Sequence, residues 1–102
     1  MAGYLDGKVA VVFGGGGDAH RGVAVALAQA GADIAVAGLA PDLASEAALH
    51  SISNEIWALG RRSTVVTLAA DDAPSFAVAV ERAREELGRA DVVVRADAVL
   101  DA

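Results

Sequence analysis

Short apolar runs alternate along the chain with longer segments in which apolar residues recur every three or four positions. The first run, from Lys8 to Phe13, is rich in β-branched residues and ends at glycines. Such a continuous run is typical of a buried parallel strand. Similar runs predict three more strands, at Asp33 to Ala37, Thr64 to Leu68 and Asp91 to Val94.

Helices are predicted in the three segments between these strands. Their apolar positions follow helical spacing: Val23, Leu27 and Ala30, then Leu43, Leu49, Ile52, Ile56 and Leu59, then Phe76, Val80, Ala83 and Leu87. Each segment ends at a glycine, namely Gly31, Gly60 or Gly88. Asp72 and Pro74 mark the start of the third helix, because aspartate caps free amides and proline fits the first turn.

The alternation of strands and helices predicts an α/β fold with right-handed crossovers between parallel strands. The strand order expected from this handedness is 3-2-1-4, which makes a Rossmann-like, three-layer half domain with three helices. The 102 residues, of which 55% are hydrophobic, are expected to form a single domain over residues 1–102.

Charge and cysteine content restrict the partners of such a domain. Fourteen acidic residues against eight basic ones give a formal charge of −6, which argues against nucleic acid or an anionic membrane as a partner. The apolar stretch from Gly22 to Ala40 contains Gln29 and Asp33, so we expect no membrane span. The absence of cysteine excludes disulfides and thiol catalysis and permits a reducing compartment, so a cytoplasmic location is predicted.

A glycine-rich turn follows the first strand. Gly14-x-Gly16-x-x-Ala19 satisfies the general dinucleotide fingerprint, in which backbone amides at a helix start bind the phosphates. The turn and the residues after the second strand form the candidate cofactor site, and its members are Gly14, Gly15, Gly16, Gly17, Ala19, His20, Gly38 and Leu39.

The chain as a whole resembles the N-terminal half of a short-chain dehydrogenase/reductase, a family of NAD(P)-dependent oxidoreductases. The resemblance is carried by the segments "LDGKVAVV", "ALAQAGADIAVA", "EIWALGRRSTVV" and "VERAREELGRADVVV". It implies a Rossmann sheet and NAD or NADP as the cofactor. The family's catalytic serine would lie beyond Ala102, so we expect a truncated or degenerate form without catalytic residues of its own.

The family's cofactor-binding motifs are altered in this chain. Its turn, Thr-Gly-x-x-x-Gly-x-Gly, falls on Phe13, Gly14, Asp18 and His20, so only the first glycine is kept. The ribose-binding acid falls on Gly38. Two further features are replaced, by Ala69 after the third strand and by Arg95-Ala96-Asp97-Ala98 after the fourth. The cofactor is therefore expected to bind weakly or not at all.

Asp18 and His20 leave two interpretations of the turn open. In an empty turn Asp18 would cap the positive end of the helix, and the His20 imidazole would swing outward into solvent. Alternatively, a protonated His20 would offer a cation to the phosphate.

No catalytic or metal-binding residue is assigned. Tyr4 and Lys8 match the family's Tyr-x-x-x-Lys spacing, but they precede the first strand, whereas the family places this pair after the fourth. His50 has no second histidine nearby, so a surface position is expected rather than a metal ligand. Asp33 lies at the start of the second strand, at the end of the sheet opposite the nucleotide.

Three hypotheses about function remain. The chain is part of an oxidoreductase whose substrate-binding half lies elsewhere, a free-standing weak nucleotide binder, or a noncatalytic interaction module. The strand at Val92 to Val94 is predicted to form an open apolar edge. Self-association, or a partner chain that covers this edge, is therefore expected.

Overall fold

The predicted alternation of strands and helices is confirmed. The computed structural model describes residues 3–96, which contain four strands and three helices. In chain order they are β1 Val9–Phe13, α1 Asp18–Gln29, β2 Asp33–Leu39, α2 Leu43–Ala58, β3 Ser63–Leu68, α3 Ala73–Leu87 and β4 Val92–Arg95.

The four strands form one parallel sheet in the order β3-β2-β1-β4, as the handedness of the crossovers predicts. In this register Val11 of β1 lies between Ala35 of β2 and Val93 of β4. Every residue of β1 is buried, because this strand has a neighbour on each side and helices over both faces.

Each face of the sheet has its own hydrophobic core. Alternate residues of a strand point to opposite faces, so the β1 residues divide between the two cores. Helices α1 and α2 cover the first core, which contains Ala10, Val12, Ala24, Ala28, Ile34, Val36, Leu49, Ile52 and Ile56. Helix α3 covers the second, which contains Val9, Val11, Phe13, Ala35, Ala37, Val66, Ala79, Ala83 and Leu87.

Aspartate caps start two of the helices. The Asp72 carboxylate accepts a hydrogen bond from the Ser75 amide at 2.9 Å, which confirms the predicted start of α3. Asp42 caps α2 in the same way, through the Ser45 amide at 2.8 Å. Hydrogen bonds from Ser75 and Ser45 lower the pKa of Asp72 and Asp42, respectively. Helix α3 ends at Gly88, whose φ of 92° is the left-handed conformation expected of a terminal glycine.

Parts of the predicted helix stripes are wrong. Leu43 is 84% exposed and Leu59 is also exposed; Leu43 is the first residue of α2 and Leu59 is its C-cap. The fully buried face of α1 consists of Ala24, Ala28 and His20, while Val23 and Leu27 are only partly buried. Small residues are buried there because α1 packs closely on the sheet.

Strand β4 forms one edge of the sheet within residues 3–96, as predicted. Its residues alternate between half-buried and exposed, and the Val93 side chain is 54% exposed. Helix α3 covers the second core but leaves Val93 open to solvent. Within the same range no helix is long and apolar enough to cross a membrane.

Candidate functional site

A cleft of about 150 Å³ opens at the carboxyl ends of the strands. Four of the candidate cofactor residues line it, namely Gly14, Gly15, Gly38 and Leu39. The last residue of every strand also lines it, because parallel strands end together at one edge of the sheet: Phe13, Leu39, Leu68 and Arg95. This is the edge at which open α/β sheets bind ligands.

The sequence-based site did not include the polar and aromatic residues on the β4 side of the cleft. The Arg95 guanidinium lies 4.8 Å from the centre of the Phe76 ring and 3.7 Å from the Asp71 carboxylate. Phe76 in turn packs edge-to-face on Phe13, with ring centres 4.9 Å apart. The position of Arg95 at the end of a predicted strand was the signal that would have placed it in the cleft.

His20 does not swing into solvent as predicted, because its imidazole is 1% exposed and lies inside the glycine turn. Its Nδ1 is 3.0 Å from the Gly16 amide nitrogen, and its Nε2 is 2.8 Å from the Val12 carbonyl oxygen. A Cβ atom at Gly14 would lie 2.5 Å from the ring, so the imidazole fills the space next to this glycine.

These two contacts define the hydrogen-bonding state of the imidazole. The Gly16 N–H donates to Nδ1, so Nδ1 carries no proton, and the Nε2–H donates to the Val12 carbonyl. A protonated His20 that contacts phosphate, the second interpretation of the turn, would have to break the bond to Gly16. In this structure an amide of the glycine turn is bound to a side chain of the chain itself.

The charge of Asp18 lies at the start of α1, as the empty-turn interpretation expects, although Asp18 is not the N-cap residue. Gly17 is the N-cap of α1 and no side chain caps this helix end. Asp18 is the first helical residue and is exposed, so its negative charge lies in the first turn, where it is favourable to the helix dipole. Gly15 and Gly17 have open space where a side chain would be, whereas Ala19 is half-buried in α1.

Gly38 is buried near the end of β2, where the glycine turn after β1 approaches the strand closely. A Cβ atom there would lie 2.3 Å from the Gly14 carbonyl oxygen and 3.2 Å from the Leu49 side chain. The Gly14 amide also donates to the Ala37 carbonyl at 3.0 Å, which draws the turn onto β2. The position that the resemblance assigns to a ribose-binding acid therefore has no room for a side chain.

The remaining charged candidates are engaged away from the cleft. The Arg21 guanidinium forms two hydrogen bonds with the Glu55 carboxylate, at 2.7 and 2.6 Å, which link α1 to α2 and raise the pKa of Arg21. Asp33 begins β2 at the amino end of the sheet, as expected, where it binds Arg62 at 3.0 Å. Tyr4 and Lys8 also precede β1 and are exposed at that end. His50 is on the surface, as predicted, 3.8 Å from Glu46.

Within residues 3–96 no group of three histidine, aspartate or glutamate side chains could hold a metal ion. A parallel sheet of order 3-2-1-4 with a glycine turn between β1 and α1 defines the chain as a Rossmann-like half domain.

Comparison with known proteins specifies this class further. No protein-family model matches the chain. It is 30% identical over 92 residues to Oxidoreductase UcpA of Escherichia coli K12, covering 90% of this chain and 33% of that protein. It is 38% identical to the uncharacterized oxidoreductase MT0954 of Mycobacterium tuberculosis, covering 88% and 32%.

Solved structures that match the fold of this chain include further dehydrogenases. A short chain dehydrogenase from Mycobacterium avium matches with a TM-score of 0.81 and 31% identity, over 91% of this chain and 34% of that one. Carveol dehydrogenase from M. avium in complex with NAD matches with a TM-score of 0.72 and 33% identity, over 90% and 36%. A blue fluorescent protein from a metagenomic library in complex with NADPH matches with a TM-score of 0.74 and 34% identity, over 87% and 35%.

In sequence and in fold the chain resembles the N-terminal half of a short-chain dehydrogenase/reductase. It spans about a third of the length of the curated relatives that it matches.

Proposed function

We propose that the chain is an NAD(P)-binding half domain of the short-chain dehydrogenase/reductase type whose affinity for the dinucleotide is weak. The adenosine end of the ligand would lie in the cleft between Leu39, Leu68 and Arg95, and its pyrophosphate would lie at the glycine turn. Relatives with NAD and NADPH bound support this class of ligand. NAD and NADP are both candidates, because Gly38, Leu39 and Ala40 supply neither an acid for the ribose hydroxyls nor a cation for a 2′-phosphate after β2.

One observation carries the proposal of weak affinity. The Gly16 amide, which the fingerprint assigns to phosphate, donates instead to the buried His20 imidazole at 3.0 Å. A pyrophosphate must displace this internal acceptor and also lie near the exposed Asp18 carboxylate. Binding would therefore exchange one hydrogen bond for another, and the net gain is small.

We further propose that this chain has no catalytic pair of its own. Tyr4 and Lys8 are its only tyrosine and lysine, and they lie at the end of the sheet opposite the cleft. A purified 102-residue chain should therefore not oxidise or reduce any alcohol–ketone pair with NAD or NADP. Turnover that survives Tyr4→Phe and Lys8→Ala would contradict this statement. The cytoplasm is the compartment that we propose for a chain without cysteine.

Calorimetric titration and thermal unfolding with NAD and with NADP test the proposal on three proteins. The parent chain is compared with Asp18→Gly/His20→Gly, which frees the Gly16 amide and removes the carboxylate from the turn. His50→Gly is the matched control, because it also exchanges a helical histidine for glycine but lies on the surface of α2. Both glycine variants should unfold at a lower temperature than the parent when no ligand is present.

Only the turn variant should bind the dinucleotide more tightly than the parent. A tenfold gain corresponds to about 1.4 kcal/mol and gives a larger ligand-induced shift of the unfolding temperature. If the parent binds more tightly than the turn variant, then His20 assists the binding of phosphate. If neither protein is stabilised by either cofactor, the nucleotide-binding proposal is wrong.

A noncatalytic interaction module is the second candidate function, and a different observation favours it. The apolar Val93 side chain is 54% exposed on the edge strand β4. Exposed apolar strands at a sheet edge attract partners, because their backbone groups and side chains are both unsatisfied.

A further inference from the structure

We propose that two copies of the chain associate through their fourth strands, which pair antiparallel about Val93 and join the two sheets into one. This inference deepens the second candidate function and does not depend on nucleotide binding. It rests on three features of β4: the direction of its backbone groups, the order of its charges, and the apolar groove beside it.

The backbone of β4 presents hydrogen-bonding groups on its open side. The Ala96 amide donates to the Phe13 carbonyl of β1 at 2.8 Å. Because alternate residues of a strand direct their N–H and C=O groups to the same side, Val94 and Val92 also face β1. The N–H and C=O of Val93 therefore face the side of β4 that no other strand of residues 3–96 pairs with, where a strand of a second copy would find both a donor and an acceptor.

The charges around β4 are complementary to themselves when the strand is reversed. The segment reads Asp91-Val-Val-Val-Arg95, with Val93 at its centre. In an antiparallel pair about Val93, Asp91 of each copy lies opposite Arg95 of the other, and Val92 lies opposite Val94. Opposite charges across a strand pair are favourable and like charges are not, so this sequence favours the antiparallel register.

An apolar groove of about 260 Å³ lies along the same strand, on the α3 face of the sheet. Phe13, Phe76, Ala77, Val80, Val93 and Arg95 line it. A two-fold axis perpendicular to the sheet, as antiparallel pairing requires, places the α3 helices of both copies on the same face. The two grooves then lie side by side across the axis, and the two Val93 side chains cover each other.

The opposite edge of the sheet lacks these features. Strand β3 packs against α2 on one face and α3 on the other. Its residue Thr64 is tied to Glu86 by a hydroxyl–carboxylate hydrogen bond of 2.8 Å, and its exposed residue Thr67 is polar. Of the two edges, β4 is therefore the one with apolar surface that a second copy would bury.

Sedimentation equilibrium of the 102-residue chain across micromolar concentrations tests the inference. The parent should show a monomer–dimer equilibrium. Val93→Lys places a charge at the centre of the strand pair and should raise the dissociation constant at least tenfold. Val78→Lys is the matched control, since Val78 is 60% exposed on α3 but does not line the groove. The control should associate like the parent, and circular dichroism checks that both variants fold.

A second pair of variants tests the register. Arg95→Glu would place a glutamate opposite Asp91 of the other copy at both ends of the pair and should weaken association several-fold, whereas Arg95→Lys should retain it. Asp71→Asn removes the carboxylate that lies beside Arg95 within one copy and should not weaken association. A loss of association in Arg95→Lys or Asp71→Asn equal to that in Arg95→Glu would overturn the register.

The outcomes separate this inference from the second candidate function. A parent that stays monomeric at all concentrations overturns the self-association inferred here, while an interaction module that binds a different partner chain survives. A dimer that is insensitive to Val93→Lys and Arg95→Glu overturns the β4 pairing, while association through another surface survives. If Val93→Lys does not fold, the comparison of Arg95→Glu with Arg95→Lys decides.

Discussion

The glycine turn and the end of β4 both line the cleft, but the turn and the β4 edge differ in how their backbone groups are hydrogen-bonded. In the turn, the His20 imidazole uses both ring nitrogens to bind the Gly16 amide and the Val12 carbonyl. At β4, the outward N–H and C=O of Val93 meet no other described strand, and the valine side chain is exposed. The Gly16 amide of the turn is thus hydrogen-bonded within the chain, whereas the outward backbone groups of Val93 have no partner strand among residues 3–96.

The two proposed functions rest on this difference in hydrogen bonding between the turn and β4. A ligand at the turn must compete with a buried side chain, and the hydrogen bonds that it gains replace existing ones. A partner at β4 competes only with water. We therefore expect association at the edge strand to meet less competition from within the chain than nucleotide binding at the turn.

The largest effect is expected from removing the imidazole in the turn. His20→Ala leaves a cavity, deprives the Gly16 amide of its acceptor, and removes one of the donors to the Val12 carbonyl, which also faces β2 in the sheet. Buried polar groups without partners cost about 1–3 kcal/mol each, so we expect the free energy of unfolding to fall by about 2–4 kcal/mol. Urea unfolding measures this change. His50→Ala, on the surface of α2, should change stability by less than about 0.5 kcal/mol. Equal effects of the two variants would show that the turn is not held by His20.

The next largest loss of stability is expected when an acid is introduced at Gly38, where the family has its ribose-binding acid. Gly38→Asp would place a Cβ atom 2.3 Å from the Gly14 carbonyl oxygen, so the turn must move away from β2. Overpacking of this kind costs about 1–3 kcal/mol, and we expect no gain in affinity for NAD. Leu39→Asp is the control, because Leu39 is exposed at the next position and tolerates a carboxylate. Tighter NAD binding by Gly38→Asp would show that the backbone there can open.

The fold could be predicted from the sequence because each element carries its own local signal. Strand runs, helix periodicity and closing glycines all agree, and the handedness of crossovers then leaves one strand order. The ends of α2 were the exception. Leu43 and Leu59 fit the helical period but are exposed at the first residue and the C-cap of α2, and helical spacing alone does not show which apolar positions the rest of the fold covers.

The site was less predictable because it depends on contacts between distant residues. Four candidate residues do line the cleft, but the direction of the His20 side chain could not be read from its neighbours in sequence. An imidazole next to several glycines can point outward or inward, and the inward state depends on the space at Gly14 and on the Val12 carbonyl. The crowding of Gly38 likewise arises from the approach of the glycine turn to the end of β2.

A smaller effect is expected where β4 is anchored to β1. The Asp91 carboxylate accepts hydrogen bonds from Arg89 and from the Val9 amide, and these lower the pKa of Asp91. A lowered pKa in the folded state stabilises the fold above the ordinary aspartate pKa of about 3.9. This contribution is lost as the pH falls through the folded-state pKa.

Asp91→Asn should therefore lower the melting temperature at pH 7 and flatten its dependence on pH in the acid range. Arg89→Ala keeps the bond to Val9 and should retain part of that dependence. An unchanged acid profile in Asp91→Asn would mean that the carboxylate does not anchor the strand.

The smallest effect is expected at the open edge itself, where a matched pair of valines allows a direct comparison. Val11 and Val93 lie side by side in the β1–β4 register, but Val11 is completely buried and Val93 is 54% exposed. Threonine keeps the branched shape of valine and adds one hydroxyl. In the core that hydroxyl has no solvent, so Val11→Thr should cost about 1–3 kcal/mol of unfolding free energy. At the edge the hydroxyl stays hydrated, and Val93→Thr should change the stability of the monomer by less than about 0.5 kcal/mol.

Urea unfolding at a protein concentration well below that of dimer formation measures both values, because association would otherwise add to the stability of the parent. A large loss in Val93→Thr under these conditions would mean that the edge is packed within a single copy, which would remove the contrast between the turn and β4.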